Sequence, residues 1–186
     1  ALIPIDNSLG RGVHIPRRLQ RRVRQAPYEV TLDQDFTAVI DACAAPSDQR
    51  TDTWINKDIR QLYIALHKMG FAHSIEVWLD GALIGGLYGV ALRAAFFGES
   101  MFSRKSDASK IALVHLMARL RHGNFLLLDA QFTNDHLQQF GVTEIDRSEF
   151  QGRLAEALAS DGDLHFDTPS AALVMPYLDQ LAKHQA

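Results

Sequence analysis

Ser74-Ile75-Glu76-Val77-Trp78-Leu79-Asp80-Gly81-Ala82-Leu83-Ile84-Gly85-Gly86-Leu87-Tyr88-Gly89-Val90-Ala91 decides the fold. Residues 74–79 alternate as a strand does, Asp80-Gly81 is a strong two-residue hairpin signal, and residues 82–91 pair back. Residues 94–98 predict a third strand. Upstream, Ile59, Leu62, Tyr63, Leu66 and Met69 put one apolar side on a helix over 57–69, stopped by Gly70. Phe36, Val39, Ile40 and Cys43 do the same over 34–45, and Pro46 ends that helix. After an irregular 1–13, Ile15, Leu19 and Val23 give a short helix one narrow apolar stripe, with Pro16 suited to its first turn. Downstream, Asp107 can cap a helix to His122 whose main stripe is Ile111, Val114, Met117 and Leu120, ended by Gly123. Residues 125–128 read as a buried strand, 142–145 as a short one, and 134–140, 148–159 and 170–183 as helices. Helices first, then a mostly antiparallel sheet around a central helix, make an α+β fold.

The chain has 186 residues, 47% of them apolar and 22% charged, as in an ordinary globular protein. A single cysteine, Cys43, excludes an internal disulfide and a cysteine cage and fits a reducing cytoplasm. No apolar run is long enough to span a bilayer, and the first residues lack a signal-peptide pattern. The net charge is −3, yet Arg11, Arg17, Arg18, Arg21, Arg22 and Arg24 crowd one short region, which is enough to hold phosphates. His67, His73, His115, His122 and His136 lack ligand spacing, so no metal is expected.

Two further places carry chemistry. Gly98-Glu99-Ser100-Met101-Phe102-Ser103 sets a carboxylate among apolar neighbours, which is costly unless a cation meets it. Asp129 and Gln131 close an apolar run two positions apart, and share one side if the strand continues through them. Gly85, Gly86 and Gly89 make a glycine-rich strand that admits a close backbone approach, but no Lys-Ser/Thr follows to make a phosphate loop.

These segments, with Thr53-Trp54-Ile55 and residues 73–78, resemble the leucyl/phenylalanyl-tRNA–protein transferases over about residues 2–158. The resemblance implies an acetyltransferase-like (GNAT-type), mixed but mostly antiparallel sheet with flanking helices, preceded by a small partial N-terminal helical and irregular unit. The corresponding division is 1–50 as a remnant of the smaller domain, 51–160 as the catalytic domain and 161–186 as a tail. Family members carry a further stretch, with Gly-Gly-Asp, ahead of the position of Ala1.

The implied activity is transfer of Leu, Phe or Met from aminoacyl-tRNA to the α-amine of proteins starting with Arg or Lys, creating a degradation signal, with no cofactor. The implied roles are Asp129 and Gln131 in catalysis, Glu99 and Asn134 at the acceptor, and Trp54 and Tyr63 at the tRNA 3′ adenosine. Leu87, Met101, Ser103, Leu116, Leu120 and Leu128 would wall the donor side chain, and Arg17, Arg18, Arg21 and Arg22 would clamp the tRNA stem. Two alternatives stay open: a related transferase with another amine acceptor, and a non-catalytic RNA-binding paralogue.

Overall fold

A computed structural model describes residues 1–6, 8–10, 12–25, 27–46, 53–131 and 135–184. The elements, in chain order, are α1 (Arg17–Gln25), β1 (Glu29–Leu32), α2 (Phe36–Ala44), α3 (Lys57–Lys68), β2 (Ala72–Leu79), β3 (Ala82–Leu92), β4 (Ala95–Ser103), α4 (Ala108–His122), β5 (Leu127–Asp129), α5 (Asp135–Gln138), α6 (Arg147–Ala159) and α7 (Ser170–His184). The five strands form one sheet in sequence order, antiparallel from β1 to β4 and parallel between β4 and β5. Parallel neighbours need a crossover, and α4 provides it.

The hairpin forms where the sequence puts it, with Asp80 and Gly81 both at positive φ. The glycines of β3 serve packing inside the fold rather than approach of a ligand. A Cβ on Gly85 would strike Ala108 of α4, and one on Gly89 would strike Phe96 and the Phe97 carbonyl. Gly86 faces Val39 of α2 instead, so neighbouring glycines meet helices on opposite faces of the sheet. One face joins α4, α7 and the N-terminal segment in a single apolar cluster that includes Ile3, Val13, Leu19, Ile111, Met117 and Leu178. The other face packs Phe36, Val39, Ile40 and Cys43 of α2 against Tyr88.

The sequence signals and the structure part in several places. β1 had no clear signal; it is an edge strand without a fully buried side chain. Thr31 ties it to β2 by donating to the buried Glu76 carboxylate at 2.6 Å. Burial pushes the Glu76 carboxyl above the usual range, against the pull of the Ser74 and Thr31 hydroxyls. Leu62 of α3 and Met69 at its C-terminal cap point outward, at 57% and 67% exposure, because only Ile59, Tyr63, Ile64 and Leu66 reach the cluster beneath.

Asp107 does not cap α4. Its backbone is left-handed, and its carboxylate binds Arg22 at 2.8 Å and Lys110 at 3.3 Å. The capping bond comes from Ser103, whose hydroxyl accepts from the Ser109 N–H at 2.9 Å. The strand expected over 142–145 is reduced to a bridge between Thr143 and Leu2. Among the described residues, no helix is long and apolar enough to cross a membrane.

Candidate active site

The site forms where the sheet stops being regular. Tyr88 pairs with Ser100 and Gly89 with Gly98, so Glu99 is an extra residue on β4 with no partner on β3. A bulge of this kind bends a strand and redirects a side chain, and bulges gather beside active sites. On the other flank, β5 pairs with β4 only from Ala95 to Phe97. β5 ends there, at Asp129, while β4 runs on to Ser103, and a cavity of about 250 Å³ opens beside the end of the pairing. Glu99, Ser100, Asp129 and Ala130 line it together with Ile3, Leu87, Met101, Leu113, Leu116, Leu128 and Leu137. A dry cavity of ~150 Å³ already admits benzene, so this one has room for a leucyl, methionyl or phenylalanyl side chain.

Two polar side chains reach Glu99. The Gln131 carboxamide donates to its carboxylate at 3.2 Å. The Tyr63 hydroxyl also donates to it; burial, and then the nearby Glu99 charge, push that phenol's pKa upward. Asp129 acts one step behind. β5 ends at Asp129 and Gln131 takes a left-handed φ of 61°, so the strand does not run through the pair as the sequence suggests. The Asp129 carboxylate instead accepts the Gln131 backbone N–H at 2.9 Å, which holds the turn that aims the Gln131 side chain at Glu99. Tyr63 in turn stacks edge-on with Trp54 and Tyr88, at 6.3 and 5.2 Å between ring centroids. Trp54 is 48% exposed, a flat apolar face open to solvent.

Of the residues expected at the donor side chain, Leu87, Met101, Leu116 and Leu128 line the cavity. Leu120 is buried in the main core and Ser103 caps α4, so neither lines it. Arg17, Arg18 and Arg21 are exposed along α1, whereas Arg22 is half-buried and turned onto Asp107 and the Ser106 carbonyl. Asn134 lies outside the described residues.

A family model for "Leucyl/phenylalanyl-tRNA protein transferase" matches residues 9–155. The chain belongs to the leucyl/phenylalanyl-tRNA–protein transferase family. Among similar curated proteins, the leucyl/phenylalanyl-tRNA–protein transferase of Hyphomonas neptunium is 57% identical over 88% of this chain and 62% of its own length. That of Phenylobacterium zucineum is 59% identical over 82% of the chain and 69% of the relative. That of Paramagnetospirillum magneticum is 56% identical over 78% and 70%. The chain thus spans 62–70% of the length of these transferases.

Sequence reasoning about this transferase-family site missed three apolar wall residues: Ile3, Leu113 and Leu137. Leu113 was findable. α4 is buried nearly all round, so its cavity face extends beyond the single stripe that the helical period picks out. Ile3 carries no such signal, because the segment before α1 has no period at all.

Proposed function

We propose that this chain transfers Leu, Phe or Met from aminoacyl-tRNA to the α-amine of proteins that begin with Arg or Lys, marking them for degradation. The main support is the hydrogen bond between Gln131 and Glu99, 3.2 Å long, at the polar edge of a cavity whose remaining walls include Ile3, Leu87, Met101, Leu113, Leu116 and Leu128. An acyl side chain and a cationic acceptor need just those two surroundings side by side.

In this reading the amine nitrogen attacks the aminoacyl ester carbon. The carbon–oxygen bond to the tRNA ribose breaks as the peptide bond forms, and the nitrogen's proton passes to the ribose oxygen through the vicinal hydroxyl. An α-amine has a pKa of roughly 7.7–8.0, so a useful fraction is neutral at cellular pH and a strong base is unnecessary. Positioning supplies much of the acceleration. The Glu99 carboxylate can only accept, so Gln131 must turn its NH₂ toward it. The Gln131 carbonyl oxygen is then the group that receives an N–H of the incoming amine, and Asp129 keeps it in place through the backbone. Glu99 itself meets the acceptor guanidinium or ammonium. Trp54 and Tyr63 hold the terminal adenosine, with stacking worth roughly 1–3 kcal/mol per base, and the exposed arginines of α1 hold the acceptor stem. The sheet is read as acetyltransferase-like, supported by its mostly antiparallel order with a parallel β4–β5 pair that ends at the site. No cofactor takes part, and the setting is the cytoplasm.

The test is transfer of labelled leucine from charged tRNA to an Arg-starting peptide. Wild type is expected to transfer, and Gln131→Ala and Asp129→Ala to lose activity by roughly 100-fold or more. Transfer to small amines but not to the peptide would favour a different acceptor. Tight tRNA binding without transfer would favour a non-catalytic RNA-binding role.

A further inference from the structure

We infer that Ile3 sets the size limit of the acyl cavity and so determines the preference between aliphatic and aromatic donors. This rests on the reading that the cavity holds the donor side chain. Among the described residues lining the cavity, all but Ile3 fall between Leu87 and Leu137. Ile3 arrives from the other end of the chain, is 4% exposed, and is held by its backbone rather than by contact alone. Its N–H donates to the carbonyl of Leu128, itself a wall residue, at 3.0 Å. Leu2 exchanges two backbone hydrogen bonds with Thr143, both 2.9 Å. Two residues on, the Ile5 carbonyl accepts from the Tyr177 hydroxyl of α7 at 3.3 Å.

A wall tethered on both sides cannot retreat from a larger ligand. A β-branched side chain also has few alternative rotamers with which to move aside. Met101 is the opposite kind of wall: partly exposed, unbranched and able to change shape. A donor that is slightly too long is therefore accommodated at Met101, whereas one that is too wide is stopped at Ile3.

Stable amide-linked leucyl- and phenylalanyl-adenosine serve as probes, with their Kd values measured by calorimetry. Ile3→Ala is expected to move the Phe-to-Leu affinity ratio toward Phe by roughly 10-fold, and Ile3→Val by roughly 2-fold, in line with the value of single methylenes in apolar pockets. The comparator is Ile5→Ala, which removes the same carbons from the same buried segment but does not line the cavity. It should lower the melting temperature and leave the ratio within roughly 2-fold of wild type. An unchanged ratio in Ile3→Val and Ile3→Ala overturns the inference, and so does an equal shift in Ile5→Ala. If wild type binds neither probe, the inference falls along with the assignment of the cavity. Probe binding with the expected shift but no transfer to an Arg-starting peptide upholds the inference and defeats the transferase reading instead.

Discussion

Helices α4 and α3 both deliver side chains to the site, but from opposite degrees of burial. α4 buries Ala108 and the whole run from Ile111 to Leu120, because the sheet covers one side of it and α7 the other. α3 has no fully buried residue; it rests on β2 and along α2, with its remaining side open to solvent. The cavity walls Leu113 and Leu116 ride on the first, while the Tyr63 hydroxyl that reaches Glu99 rides on the second. Composition does not separate the two helices, since both carry ample apolar residues. What separates them is the number of layers available to cover them. A site divided this way has a stiff half for shape and a yielding half for polar contacts and stacking.

The largest effect that would break this contrast is expected at Arg119, which is 2% exposed on α4. Its guanidinium donates to the carbonyls of Leu164, His165 and Thr168 and to the Ser170 hydroxyl, so it anchors the start of α7. Arg119→Ala strands those acceptors and should lower unfolding stability by about 3 kcal/mol or more in urea titration. A loss below about 1 kcal/mol would mean that α7 does not hold α4 rigid.

Next comes His115, one turn earlier on the same helix. Burial first, then the Arg119 charge, push its pKa down to about 4. The unfolded chain binds its proton near pH 6.5 and the folded chain near 4, so stability is complete above 6.5, falls between 6.5 and 4, and is level below. The raised Glu76 carboxyl works in the opposite sense, so the difference between wild type and His115→Leu isolates the histidine. That difference should change by up to about 3 kcal/mol across this window. A flat difference curve would show that the far face of α4 is open to water.

Smaller effects are expected on α3. Tyr63→Phe removes the hydroxyl on Glu99 and should reduce transfer by roughly 10-fold with the melting temperature nearly unchanged, one hydrogen bond to a charged group being worth about 1.5 kcal/mol. An equal fall in stability would place Tyr63 among the rigid parts of the molecule. Leu62→Gln should change stability by less than about 0.5 kcal/mol; a larger loss in the same titration would mean that something covers this face of α3.

The signals that carried through were those enforced locally. The Asp80-Gly81 turn is dictated by backbone conformation, and Glu99 stood out because a carboxylate between apolar neighbours requires a reason. The signals that failed depend on what lies opposite. Leu62 and Met69 fit the helical period, but the layer beneath α3 is too narrow to receive them. β1 is fastened by a buried acid on the next strand, which its own four residues do not reveal. The turn at Gln131 depends on a side chain two positions back, and no period announces a left-handed glutamine. Ile3 reaches the cavity only once the chain has closed on itself through Leu128 and Thr143.

The unpaired register of residue 99 bears on how such a site could diversify. The ladder closes between Gly98 and Ser100 without it, so the strand's pairing scarcely depends on which head group projects there. Position 99 works as an interchangeable socket: acid could give way to amide or base with little disturbance to folding, and selectivity for what docks there could drift while the scaffold stays constant.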